Sequence, residues 1–101
     1  MITDNVDKHR FEITADGQLA GFAEYRDRGS STRAFTHTEI KPEFEGRGLA
    51  SELIKAVLAD ARANGLHVLP YCPFVRAYIA KHRDEYVDLV PEDRRAEFDL
   101  A

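Results

Sequence analysis

Apolar and polar positions alternate along the first third of the chain and then change to a helical period. Arg10-Phe11-Glu12-Ile13 and Leu19-Ala20-Gly21-Phe22-Ala23-Glu24-Tyr25 alternate on either side of Asp16-Gly17. That dipeptide tolerates the positive φ angles of a tight two-residue turn, so an antiparallel hairpin is predicted between Val6 and Tyr25. A second turn signal, Asp27-Arg28-Gly29-Ser30-Ser31, precedes a run from Thr32 to Ile40 that is rich in β-branched and aromatic residues and stops before Pro42. This run is a third strand. From Leu49 the period lengthens: Leu49, Leu53, Ile54, Val57, Leu58 and Ala61 recur at helical spacing and close on Asn64-Gly65, which predicts a helix from Gly48 to Asn64. Leu66 to Tyr71 is a short apolar run and reads as a buried strand, broken or splayed at Pro70, which has no N–H to donate to a ladder. Pro73 suits the first turn of a helix from Phe74 to His82 with Val75, Tyr78 and Ile79 on one face. Pro91-Glu92-Asp93 opens a last short helix ending near Phe98.

The element order is strand, strand, strand, helix, strand, helix. A helix joining the third and fourth strands suits parallel pairing of those two within an otherwise antiparallel sheet. The class is therefore α/β with a mixed sheet, or α+β by a stricter definition. With 101 residues there is room for one hydrophobic core, so one domain over residues 1–101 is expected. An apolar fraction of 44% with 32% charged residues is enough to pack that core. The formal net charge of −4 lacks the clustered basic footprint of a nucleic-acid binder. The first residues have no basic flank followed by an apolar run, and no stretch approaches membrane-spanning length. Cys72 is the single cysteine and has no internal disulfide partner. Together these point to a cytoplasmic protein without nucleic-acid or membrane partners, a monomer or weak homodimer.

Between the third strand and the long helix stands Pro42-Glu43-Phe44-Glu45-Gly46-Arg47-Gly48-Leu49-Ala50-Ser51. Two glycines around one residue let the backbone turn sharply and approach a ligand, while the first helical turn offers unpaired N–H groups and the positive end of the dipole. The pattern is that of an anion site, with a diphosphate as natural occupant and Arg47 as added charge. A Walker loop is excluded because no lysine follows Gly48, and a dinucleotide fingerprint because Ser51 stands where its third glycine is needed. The alternative is that the glycines only shape a strand-to-helix turn.

Gly46-Arg47-Gly48-Leu49-Ala50, with Pro42-Glu43 before it and an amphipathic helix after it, resembles the coenzyme A diphosphate loop of the GCN5-related N-acetyltransferases. Pro70-Tyr71-Cys72-Pro73-Phe74-Val75-Arg76-Ala77-Tyr78-Ile79 is similar to a segment of the family's minimal, YjdJ-like members. The resemblance runs from Phe11 to Val90. It implies a compact acetyltransferase fold that uses acetyl-CoA, without a metal, to acetylate a primary amine, or alternatively a non-catalytic acyl-CoA-binding or sensing module. It implies cofactor contacts from Glu45, Gly46, Arg47, Gly48, Leu49, Ala50 and Ser51, and from Thr38, Glu39 and Ile40 on the strand that leads to the loop. On the second helix Phe74 is added to the cofactor contacts, and Tyr78, at helical spacing from Phe74 and Val75, either touches the ligand or packs in the core. The family pattern usually has Gln or Arg where this chain has Glu43, and a basic residue where it has Glu45. The tight first hairpin replaces helices that shape the acceptor site in larger members, so the acceptor is not legible.

Amide formation from a thioester needs a neutral amine, a polarised carbonyl and a proton for the departing thiolate. His37 is read either as the base, suited to accepting a proton near neutrality, or as a histidine satisfied on a sheet face, and alternation puts Glu39 on its face of the strand, where it orients His37 or acts as base itself. Cys72 precedes Pro73, at a helix N-cap whose dipole favours a thiolate. It is read either as a nucleophile or proton donor, or as a small buried apolar residue. Arg76, Lys81, His82 and Arg83 form a basic cluster that either meets the nucleotide end of the cofactor or is solvated surface.

Overall fold

The computed structural model describes residues 1–101. Five strands form one sheet in sequence order: β1 (Ile2–Asn5), β2 (Arg10–Ala15), β3 (Gln18–Arg28), β4 (Thr32–Ile40) and β5 (His67–Pro70). The first four pair antiparallel, and β4 pairs with β5 in parallel. The hairpin, the third strand, the crossover and the parallel pair are those read from the sequence, and the class is α+β with a mixed sheet. Asp16 and Gly17 both take positive φ at the β2–β3 turn, 54° and 75°, as a tight right-twisted hairpin requires.

Helix α1 (Leu49–Ala63) crosses from β4 to β5, and its Leu53, Ile54, Val57, Leu58 and Ala61 are buried. These pack with Phe11 and Ile13 of β2, Tyr25 of β3 and Phe35 of β4 in one cluster. Each large side chain so buried stabilises by about 1.5–3 kcal/mol. Helix α2 (Pro73–Lys81) adds Val75 and Ile79 to the same core. A short helix α3 (Arg83–Tyr86) and 3-10 turns over Val87–Leu89 and Glu92–Phe98 bring in Leu89, Val90, Phe98 and Leu100.

Three features depart from the sequence expectation. Val6 lies in a 3-10 turn (Val6–Lys8), so the hairpin starts only at Arg10. The last helix is 3-10 rather than α. The edge strand β1 was not predicted, because Ile2-Thr3-Asp4-Asn5 has no alternation of its own. It is held from outside, by its ladder to β2 and by the Tyr25 hydroxyl, which donates to Asp4 Oδ1 at 2.7 Å. No helix is long and apolar enough to cross a membrane.

One irregularity decides what the site presents. The β3–β4 register steps from Tyr25↔Phe35 to Glu24↔His37, leaving Thr36 as an extra residue in β4. A bulge of this kind shifts the face of every later side chain. Unbroken alternation from the buried Phe35 would carry His37 and Glu39 into the core. With the bulge, Thr38 turns inward and is buried, and His37 and Glu39 turn out to solvent.

Candidate functional site

The parallel ladder between β4 and β5 ends at Phe35↔Pro70, followed by a bond from the Cys72 N–H to the Phe35 carbonyl at 2.9 Å. Beyond it, β4 continues to Ile40 with no neighbour on that edge. The Lys41 N–H donates to the Ala20 carbonyl at 2.8 Å. Strict alternation therefore turns the peptide groups of His37 and Glu39 toward β3 and those of Thr38 and Ile40 toward the open edge. Gly21 permits the close approach of the two strands here, since a Cβ on it would overlap the Glu39 carbonyl oxygen and the Ile40 side chain. The opening is thus a wedge with free backbone donors and acceptors along one wall.

At the end of that wall the chain makes a 3-10 turn over Pro42–Phe44 and enters the glycine loop. Gly46 and Gly48 have φ of 81° and 75°, left-handed values that residues with a Cβ rarely adopt. Gly48 is the N-cap of α1, and no side chain caps the helix. The first intrahelical bond is from the Glu52 N–H to the Gly48 carbonyl. The N–H groups of Leu49, Ala50 and Ser51 remain unpaired at the positive end of a fifteen-residue helix. No protein atom lies within 4 Å of where a Cβ would stand on either glycine.

Wedge and loop border one groove of about 380 Å³. Glu39 and Ile40 stand at one end and Phe74 of α2, half exposed, forms a wall; Glu45, Gly46, Gly48, Leu49, Ala50 and Ser51 line the rest. The structure thereby brings together most of the residues predicted for the cofactor. Phe44 also lines the groove and was missed; its one signal was an aromatic residue among polar neighbours in the loop. Tyr78 borders a second groove, which meets the first at Ala50, Ser51 and Phe74. Arg47 is turned away, its Nη1 2.9 Å from Asp16 Oδ2 in the hairpin turn and its guanidinium over the Phe44 ring.

The residues predicted for chemistry divide between the two faces of the sheet. His37 Nε2 and Glu39 Oε1 are 3.3 Å apart on the outer face, both about half exposed, and the His37 ring lies against Phe22. Cys72 is the N-cap of α2, as its place before Pro73 predicted, but its side chain makes no capping bond. It is 1% exposed, and its Sγ donates to Thr38 Oγ1 at 3.3 Å on the inner face. No group of three or more His, Cys, Asp or Glu is arranged to hold a metal ion.

A parallel strand pair that opens beside a glycine-led helix N-terminus defines the class of fold, that of the GCN5-related N-acetyltransferases. The chain belongs to that family: the family model described as GCN5-related N-acetyl-transferase matches residues 10–89. Among solved structures it is similar to a GCN5-like protein from Staphylococcus aureus, with 25% identity, a TM-score of 0.65 and coverage of 90% of this chain and 87% of that one. It shares its fold with the ribosomal-protein-alanine N-acetyltransferase of Brucella melitensis biovar Abortus 2308, at 20% identity and TM-score 0.57, covering 81% of this chain and 60% of that one. Ard1 of Thermoplasma volcanium has the same fold at 19% identity and TM-score 0.54, over 61% of this chain and 43% of that one. The search of curated proteins finds no match.

Proposed function

We propose that the protein transfers an acetyl group from acetyl-CoA to a primary amine. One observation carries this reading: the uncapped N-terminus of α1, with its two left-handed glycines, opens into the same groove as the unpaired edge of β4. The free N–H groups of Leu49, Ala50 and Ser51 suit a diphosphate, which accepts hydrogen bonds and carries the charge that a helix N-terminus favours. The peptide groups of Thr38 and Ile40 suit an extended amide-bearing arm, which would add to β4 as a strand adds to an open sheet edge. Bound acetyl-CoA supplies the acyl group as a thioester, already activated toward an amine.

The chain's own residues supply position and proton transfer. An N–H on the open edge of β4 polarises the thioester carbonyl, the role of an oxyanion-hole donor. Glu39 lines the groove's end and its Oε1 is 3.3 Å from His37 Nε2 beside it, so that the pair takes the proton lost by the amine nitrogen as the C–N bond forms, with His37 as its final acceptor. The C–S bond then breaks, and the thiolate is protonated from solvent. Burial of Cys72 behind Thr38 favours direct transfer over an acetyl-cysteine. The two-residue β2–β3 turn supports grouping the chain with the minimal, YjdJ-like members.

Glu45 in the groove and the missing acceptor-shaping insertion favour a second reading, a module that binds acyl-CoA without turnover. Release of free CoA thiol with a panel of polyamines, lysine peptides and α-amino peptides separates the two. At least one amine is expected to give turnover that falls tenfold or more in His37→Ala, with its acid limb flattened. Binding of acetyl-CoA with no turnover on any amine would move the assignment to the sensing module.

A further inference from the structure

The side chains that turn away from the core on β2, β3 and β4 form two rungs across the outer face of the sheet. Arg10, Glu24 and His37 make one rung, and Glu12, Phe22 and Glu39 the next. Directly opposed side chains in such a ladder stand about 5 Å apart and diagonal ones about 7–8 Å. Phe22 is the half-buried floor, with the Arg10 guanidinium over its ring at 4.4 Å and the His37 ring against it. The three carboxylates of these rungs differ in their surroundings. Glu12 accepts from Arg10 at 2.8 Å and from Asn5 at 3.2 Å, so its charge is neutralised within the face. Glu39 meets His37. The half-buried Glu24 carboxylate forms neither an ion pair nor a hydrogen bond; the Thr36 hydroxyl beside it donates to the Glu24 carbonyl instead. Beyond Glu24, on the side away from Phe22, Lys8, His9 and Arg26 border a polar hollow of about 60 Å³.

We infer that Glu24 is a specificity determinant for the acceptor, and that the acceptor is a short-chain diamine whose second, unreacting ammonium lies at Glu24. The inference rests on the transfer reading above. Glu39 lines the end of the groove while its carboxylate stands on the outer face, so the acceptor nitrogen meets the acyl carbon from that face. Glu24 and Glu39 lie on one diagonal of the two rungs, and a chain with one nitrogen at each spans about 7–8 Å. With His37 neutral, as a base must be, three carboxylates face one guanidinium, and the field on the face attracts cations. A monoamine leaves the Glu24 carboxylate to water, whereas a diamine gives it a charge-assisted hydrogen bond. Lys8, His9 and Arg26 close the far side, because a cation that runs past Glu24 meets like charge there. Glu24 acts on affinity for the acceptor and takes no part in the proton transfer.

Release of free CoA thiol by the full chain with putrescine and with aminobutanol tests this, the second being the same chain with a hydroxyl in place of one ammonium. Beyond the doubling due to its two equivalent amines, putrescine is expected to have the higher kcat/KM by about five- to tenfold, the size of one partly exposed charge-assisted contact, and by less at high salt. Glu24→Gln is expected to lose that preference through a raised KM for putrescine, and Glu24→Asp to keep most of it. A merely structural role for Glu24 would lower both amines together and leave their ratio unmoved. Equal kcat/KM for the two amines in wild type, an unchanged ratio in Glu24→Gln, or turnover confined to lysine and α-amino peptides would overturn the assignment while leaving the transfer reading intact. No thiol release with any amine would overturn both.

Discussion

Cys72 had two readings in the sequence, nucleophile or small core residue, and the difference lies in where the thiol points. Its position before Pro73 at a helix N-cap was legible. The bond to Thr38 was not, because it joins residues 34 apart in the chain and depends on the bulge at Thr36. With the thiol buried against a hydroxyl, wild-type protein incubated with acetyl-CoA is expected to show no acetyl adduct by intact mass, and Cys72→Ser to keep turnover within a few fold. Cys72→Ala is expected to lose stability by about 1 kcal/mol through the lost contact and small void. A stoichiometric adduct on wild type that is absent in Cys72→Ser would establish the covalent route. His37 and Glu39 were correctly put on one face by alternation, yet it took the bulge to make that face the solvent side.

At the level of elements, the glycine loop works through backbone geometry more than through its side chains. Arg47, the one charge the sequence offered to a diphosphate, is paired with Asp16, while the helix N–H groups stay free. Gly48→Ala forces a Cβ into left-handed backbone, which costs about 1–2 kcal/mol, and puts a methyl group at the groove floor. Gly29 has φ of 69° in the β3–β4 turn with open space around it, so Gly29→Ala carries the same strain without the ligand. Both variants are expected to melt lower, and only Gly48→Ala to weaken CoA binding, by tenfold or more. Equal affinities in the two would remove the loop from the site.

The end of the β3–β4 ribbon is held to α1 by Arg33. Its guanidinium forks onto Asp27 at 2.6 and 3.1 Å, reaches Asp60 at 3.3 Å and covers the Tyr25 ring. Arg33 lowers the Asp27 carboxyl below the usual carboxylate value, whereas burial and the bond to Asp4 push the Tyr25 hydroxyl up to about 12. Because the Asp27 value is depressed in the folded state, its stabilisation is complete above the unfolded carboxylate value near 4 and is lost as pH falls through the lower folded value. The urea midpoint of Asp27→Asn is therefore expected below that of wild type at pH 7 and level with it near pH 2. Since Asp27 is about half exposed, the difference is expected to be small and to shrink with salt.

For the whole molecule, the topology was legible wherever local pattern and tertiary packing agree. The Asp16-Gly17 turn, the Leu49-to-Ala61 stripe and the crossover to a short apolar strand each carry one clear period, and the family match over residues 10–89 falls within a residue of the span read from the motifs. What the sequence did not yield depends on partners rather than pattern: β1, whose pairing comes from β2; the bulge, which only register reveals; and the second groove, which needs two helices at once. The acceptor belongs to the same group. The hairpin turn that makes the chain short also removes the segment in which an acceptor motif would be read.

The most direct test is the melting temperature of the protein with acetyl-CoA, free CoA and ATP in separate samples. If the α1 N-terminus and the open β4 edge form one acyl-CoA site, both CoA species are expected to stabilise the fold, by about 2.7 kcal/mol at a hundred times the dissociation constant, and ATP to give no comparable shift. No shift with either CoA species at millimolar concentration, or an equal shift with ATP, would contradict that site.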